Sequence, residues 1–351
     1  MNRGASIILS PLGVLYGAII ETRASLYRRG LLKTSKLNAP VISVGNITTG
    51  GTGKTPLAEY IARVVAGEGR KVCILTRGYG RENPKARVLV SDGKQVLVGE
   101  KEAGDEPLLL AENLLGIAAV ISDRDRFTAG KWAISELGSE VLILDDGFQH
   151  VQLARNLDVV TIDAMEPWGG GRILPAGRLR ELRGGLTRAD FIVITRADQA
   201  EDLNSSRSEI DEWTNHRPLF TSRMRVRGLR KVGTDGPDVE DGGVPNAATP
   251  VVAFCAIGNP RAFIKQLGIE GITPIEVSIF RDHHKYDQHD LDSLVRKAHS
   301  VGAKSLITTA KDAVKLRDLS VDLPCYVLEI EICIDNEASF IAMIREAIER
   351  G

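Results

Sequence analysis

The sequence predicts an α/β protein: a doubly wound parallel sheet of P-loop NTPase type, followed by a second, smaller α/β domain. Three observations carry this expectation. Continuous apolar runs such as PVISVG, KVCILTRG and EVLILDD alternate with amphipathic stretches, as strands buried on both faces and joined by helices do. The glycine-rich run GNITTGGTGKTP lies between the first such strand and the first helix of the core. At 351 residues the chain also exceeds the roughly 250–300 at which a single hydrophobic core stops growing.

Residues 1–40 form a region of their own. Ile7 to Ile20 is mostly apolar but falls short of the roughly 20 residues needed to cross a bilayer. Around it lie Arg3, Arg23, Arg28, Arg29, Lys33 and Lys36 against one acid, Glu21. An apolar helix with a basic flank suits an anionic membrane surface, and it equally suits packing on the protein's own core.

The P-loop core is expected over residues 41–224. After PVISVG come a helix from Thr55 to Gly67, the strand KVCILTRG, a hairpin-like ARVLVSDGKQVLVG, and a helix near Asp105 to Leu115. AAVIS, a helix from Arg126 to Leu137, EVLILDD, LDVVTIDA and DFIVITRAD complete it. Residues 225–250 are rich in glycine, proline and acids and read as a linker or an exposed hairpin. The smaller domain, 251–351, resumes with PVVAFCAIG, a helix from Pro260 to Leu267, TPIEVSIF, a helix from Asp290 to Val301, KSLITTA, CYVLEIEI and a final helix from Glu337.

Composition narrows the function. A formal net charge of -1 exerts no general pull on nucleic acid, and no nucleic-acid module is visible. Cys73, Cys255, Cys325 and Cys333 lie far apart and mostly in apolar runs, which points to buried thiols rather than a disulfide framework or zinc site.

Thr48, Thr49, Gly50, Gly51, Thr52, Gly53, Lys54 and Thr55 make the candidate nucleotide loop. Backbone N–H groups curl round phosphate oxygens, a lysine reaches the outer phosphates, and a hydroxyl meets Mg²⁺. The general pattern places glycine where this chain has Thr48, at the loop entrance, where no phosphate contact depends on it. Pro56 is tolerated in the first helical turn because its missing N–H has no partner there. Asp145 and Asp146, ending EVLILDD, supply carboxylates of the kind that hold Mg²⁺, or else cap a following helix. Asp105 and Glu106 in GDEP start a helix and alone decide nothing. The acids and histidines of DHHKYDQHD read as caps and solvent-facing groups before a helix rather than a transition-metal site. Lys311 and Asp312 either line an adenine pocket or begin a helix.

Together, GNITTGGTGKTP, TRGYGR, GDEP, DDGFQH, GRILPAGRLRE, FRDHHKY and TTAKDAVKL, in this order, resemble the tetraacyldisaccharide 4'-kinase family of lipid A biosynthesis. The resemblance implies transfer of the ATP γ-phosphate to the 4'-hydroxyl of a tetraacyldisaccharide 1-phosphate, forming lipid IVA. It implies ATP and Mg²⁺ as cofactors and a peripheral, monomeric protein at the cytoplasmic face of the inner membrane. A threonine at position 48 is that family's habit. Lys54 and Thr55 are then implied to hold phosphate and Mg²⁺, with Asp145 and Asp146 at the metal and Glu106 beside it. Asp105 is the implied base, paired with His283. Asn46, Tyr79, Gln149, His150, Arg180 and Glu181 are implied acceptor or phosphate contacts, with Arg180 suited to transition-state charge. Arg124 and Arg126 fit the acceptor's existing phosphate, and each arginine could instead be a solvated surface charge. A membrane-resident acceptor gives the N-terminal helix a docking role.

The sequence is open to two other readings. One is a P-loop GTPase or metallochaperone in which the TRAD of DFIVITRAD reads guanine through Asp198. The other is a nucleotide-binding membrane adaptor without catalysis.

Overall fold

The computed structural model describes residues 10–233 and 249–350. The strands are β1 (Val41–Gly45), β2 (Val72–Thr76), β3 (Val88–Ser91), β4 (Ala118–Ser122), β5 (Val141–Asp145), β6 (Leu157–Asp163), β7 (Phe191–Thr195), β8 (Leu219–Lys231), β9 (Val251–Cys255), β10 (Glu276–Ile279), β11 (Ser305–Thr309) and β12 (Cys325–Ile334). They form one sheet in the order β10-β9-β11-β12-β8-β7-β6-β1-β5-β2-β4-β3. Every pairing is parallel except β12 with β8 and β3 with β4. β1, β2, β4, β5, β6, β7 and β9 are buried at every position, which is why their sequences are apolar without alternation.

The order turns round at β1, which has β6 on one side and β5 on the other. Crossover connections leave in opposite directions there, so a crevice opens beyond the carboxyl ends of β1 and β5. The hairpin expected after KVCILTRG is reduced to β3, with one bridge from Ser91 to Val96.

β8 departs from the expected linker. Its first residues pair with β7 and its remainder, from Ser222 to Lys231, with β12, so 225–231 are strand and the sheet runs unbroken into the C-terminal half. Alternation along β8, with Phe220, Ser222 and Met224 buried between more exposed neighbours, hides this strand among arginines and glycine. Residues 234–248 of that stretch lie outside the described residues.

Helices cover both faces: α1 (Ser10–Arg28), α2 (Lys54–Gly67), α3 (Asp105–Asn113), α4 (Arg126–Leu137), α5 (Leu203–Thr214), α6 (Pro260–Ile269), α7 (Gln288–Ser300) and α8 (Glu337–Glu349). α1 reaches eight residues beyond the expected Ile20; the expected start at Ile7 lies outside the described residues. Side-chain caps begin several: Asp125 accepts from Thr128 N, Asn259 from Ala262 N, and Asp287 from Asp290 N. The acids of DHHKYDQHD are thus partly spent on starting α7, and no cluster of metal-binding side chains occurs among the described residues.

α8 closes the molecule. It comes from the end of the chain yet packs on the N-terminal half, where Phe340 meets Tyr60, Phe191 and Phe220 edge-on at 5.2–5.8 Å. Phe340 is fully buried in the same core as Leu57 and Ile61 of α2. Phe340→Ala should cost about 3–5 kcal/mol of stability, since it leaves a ring-sized void in a packed aromatic cluster. Denaturant unfolding of the purified variant measures this loss.

Candidate active site

Beyond the carboxyl ends of β1 and β5 lies a cleft of about 1420 Å³, lined by both halves of the chain. Residues 49–56 form one wall, and the loop that they make is held from outside. Arg178 Nη2 and Nε donate to Thr49 O at 2.9 and 3.2 Å, Arg196 Nη2 to Gly51 O, and Thr195 Oγ1 to Thr52 O at 2.9 Å. Asn46 Nδ2 and Thr161 Oγ1 hold the Thr52 hydroxyl, each at 2.8 Å. In a trans peptide the N–H points opposite to the C=O, so pinning the carbonyls of Thr49 and Thr52 aims the N–H groups of Gly50 and Gly53 away from those partners. Gly53 has φ of 82°, and α2 begins at Lys54 immediately after it.

Asp146 makes the turn after β5, with φ of 58°, while Gly147 allows close approach: a Cβ there would sit 2.6 Å from Leu144 Cβ. The turn sends the two aspartates apart. Asp146 receives Arg180 Nη1 at 2.6 and 2.8 Å and lies 3.6 Å from Lys54 Nζ. Burial raises its proton affinity, but Lys54 and Arg180 outweigh burial and hold the carboxyl at about 2. Asp145 has the opposite balance. Buried near Glu106 and Asp146, it is pushed up to about 7, and its Oδ1 has no hydrogen-bond partner.

Asp105 is the first residue of α3 but does not cap it; Gly104 occupies the cap position. Its carboxylate is 4% exposed and meets His283 Nδ1 at 2.9 and 3.2 Å, with Lys315 at 3.6 Å and Lys311 at 4.0 Å. Burial alone would raise this carboxyl, yet the His283 hydrogen bond and the lysines hold it at about 2. His283, half-buried and in the left-handed region at φ of 59°, faces the cleft, and its bond to Asp105 raises its own proton affinity. Lys311 also binds Glu106 at 2.9 Å and Asp282 at 3.5 Å. This places Lys311 at the carboxylates rather than in a base pocket, while Asp312 is fully buried and accepts from Ala256 N and Thr309 Oγ1.

On the far side Tyr79, Arg124, Arg126, Gln149, His150 and Arg180 line the cleft. Arg126 is 4% exposed with its Nε unpartnered. Three expected contacts are corrected. Asn46 is fully buried and braces Thr52; Glu181, 2% exposed, holds Arg188 at 2.8 Å and Gln149 at 2.6 Å; Thr48, 5% exposed, pairs with Leu179. None of the three lines the cleft; nor do Asp105 and Asp145, which are 4% and 2% exposed.

Sequence reasoning missed Arg178, Arg196 and Arg77. Arg77 stacks over Tyr79 at 4.9 Å and donates to its hydroxyl at 2.8 Å. It stands beside Tyr79 in TRGYGR, and that adjacency was the available signal. Arg196, in the TRAD whose Asp198 is expected to read guanine, turns inward, φ 55°, onto Asp163, and Asp198 is exposed outside the cleft.

The sequence profile of the Tetraacyldisaccharide-1-P 4'-kinase family matches residues 5–349. The chain belongs to this family. It is similar to the tetraacyldisaccharide 4'-kinase of Desulfotalea psychrophila, with 39% identity over 90% of this chain and 89% of the relative. That of Halothermothrix orenii is 38% identical over 97% and 92%. Among solved structures, LpxK from Aquifex aeolicus in complex with ATP superposes with a TM-score of 0.76 at 32% identity, covering 98% of this chain and 99% of that one.

The charge at this wall of the cleft is testable. Burial, with Arg126, Arg155 and Arg23 nearby, pushes His150 from 6.5 down to about 4. Between those values an unfolded chain binds a proton that the folded chain refuses, so stability falls as pH drops through this window. His150→Gln should flatten that part of the curve, read from unfolding midpoints at successive pH values.

Proposed function

We propose that this chain transfers the γ-phosphoryl group of ATP to the 4'-hydroxyl of a tetraacyldisaccharide 1-phosphate, at the cytoplasmic face of the inner membrane. The observation that carries the reading is the Asp105–His283 pair, drawn from opposite halves of the chain: His283 lines the cleft that holds the phosphate loop, and Asp105 is buried behind it. A hydrolase needs only a positioned water; a carboxylate–imidazole pair facing a wide, cationic wall suits an alcohol acceptor.

Residues 49–55 cradle the donor's phosphates, and Lys54 and Arg180, both now on Asp146, lie within reach of the charge that develops on the transferred group. The Asp105–His283 pair takes the hydroxyl proton. Asp105 is ionised at working pH, and drawing Lys311 toward phosphate oxygens would raise its affinity for that proton. Arg126 and Arg124, with Arg77 on Tyr79, meet the anionic end of the acceptor.

The residues fit Mg²⁺: Asp145, buried at the end of β5, has an unpartnered oxygen whose charge Glu106 and Asp146 oppose, and Thr55 and Glu106 line the cleft. Asp145, Thr55 and Glu106 would hold the ion, whose chemistry is to neutralise charge on the phosphate oxygens. Asp146, expected at the metal, serves Lys54 and Arg180 instead.

Approach to the membrane falls to α1. Gly13, Gly17 and Ala24 are buried, while Leu12, Val14, Leu15 and Ile19 are 53–70% exposed. Tyr16 and Arg23 of the same helix line the cleft, so a docked leaflet would lie at its mouth. Among the described residues no helix is long and apolar enough to cross a membrane.

The decisive assay supplies ATP, Mg²⁺ and dispersed tetraacyldisaccharide 1-phosphate and looks for the 4'-phosphorylated product; its absence would sink the proposal. Asp105→Ala and His283→Ala should each lower kcat about 100- to 10,000-fold, and the double variant should be little worse, because the pair acts as a unit. Additive losses in steady-state rates would argue for separate roles. Replacing Leu12, Leu15 and Ile19 together by Gln should release the protein from anionic vesicles in a sedimentation assay and leave ATP binding intact.

A further inference from the structure

Beside the phosphate loop the cleft continues between the end of β7 and the first turns of α6, where Met224, Phe263 and Leu328 lie near Gln199 and Gln266. The two glutamines are 2% and 4% exposed. Gln199 Nε2 donates to Gln266 Oε1 at 2.9 Å, and Gln266 Nε2 donates to Glu270 Oε1 at 3.1 Å. Gln199 Oε1 ends this chain, buried and without a hydrogen-bond partner.

The chain has an enforced direction. A carboxylate only accepts, so Gln266 must turn its NH₂ group toward Glu270. Its carbonyl then faces Gln199, which must answer with its own NH₂ group. An acceptor oxygen is left over at the buried end, and it is fixed there by a carboxylate two residues away in the relay.

Resting on ATP as the phosphoryl donor, we propose that Gln199 reads the nucleotide base and that Glu270, through Gln266, makes the site select an adenine. Adenine carries an amino donor at C6, where guanine carries a carbonyl acceptor. The adenine amino group completes the relay, whereas guanine sets two acceptors against each other and leaves both unpaired. The location agrees with a donor already anchored at the loop: Arg196, three residues before Gln199, holds the carbonyl of Gly51. Met224 and Phe263 offer apolar surface for the ring faces. Gln199 is thus a specificity-determining residue, and Gln266 and Glu270 position it.

The test is equilibrium binding of ATP, GTP and purine riboside triphosphate, which has hydrogen at C6, without any acceptor lipid. The native protein should bind ATP at least about tenfold tighter than either competitor. Gln199→Leu should equalise ATP and purine riboside triphosphate. Glu270→Lys replaces an acceptor with a donor and should move the ATP-to-GTP ratio about tenfold toward GTP, with the isosteric Glu270→Gln falling between. A purely structural role for Glu270 would weaken all three nucleotides together. Ratios within twofold of native in both Glu270 variants, or a Gln199→Leu protein that still prefers ATP to the analogue, would overturn the proposal. Selective binding by a protein that phosphorylates no glycolipid would refute the kinase reading and leave this inference standing; unselective binding by an active kinase would do the reverse.

Discussion

Three carbonyl groups of the glycine-rich loop are gripped from behind, by Arg178, Arg196 and Thr195, and the rest of the site takes its geometry from that restraint. Glycines give a loop freedom, and freedom blurs a phosphate site unless something removes it. Here the surroundings remove it. Arg178 comes from the GRILPAGRLRE segment, which also receives Thr49 N on the carbonyl of Arg178 at 2.7 Å. Arg196 is itself fixed by Asp163, and Asp163 accepts from Asn259 of the C-terminal half at 2.9 Å. The shape of the cradle therefore depends on residues more than a hundred positions away in the chain.

The same cross-chain logic governs charge. Asp105 and Glu106 stand at the start of one helix, but their cations, His283, Lys311 and Lys315, come from the second half. A buried carboxylate without them would be neutral at working pH. With them it stays ionised, while at Asp145 burial and the carboxylates of Glu106 and Asp146 outweigh Lys54 and Arg126. Two acids of one type thus take different states at one site, and the difference lies in the balance of burial, neighbouring carboxylates and cations around each. The continuous sheet through β8 and the return of α8 onto the N-terminal core keep those cations in place.

α1 inverts the usual amphipathic arrangement. Its small residues face inward, with Gly13 and Gly17 close against Ile173, and its large apolar ones face outward. A helix sorted for core packing would do the opposite. Outward leucine, valine and isoleucine leave an apolar face beside a basic flank, and the inward glycines let the helix lie close against Ile173.

Local chemistry was enough to announce much of this protein. Apolar runs without alternation specified parallel strands, and GGTGKT after a strand specified a phosphate loop, because both signals depend only on neighbours in sequence. Lys54, Thr55 and Asp145 were nameable for the same reason, whereas Asp105 was singled out only by the family resemblance. β8 was not legible, since a strand of alternating arginines looks like a linker until β12 lies beside it. Asn46 and Glu181 sat in the right motifs but face backward, and Arg178, Arg196 and Gln199 gave no sign of their duties. Hydrogen bonds across a hundred residues, burial, and the direction of an amide relay are properties of packed neighbours, and only the tertiary structure decides who those neighbours are.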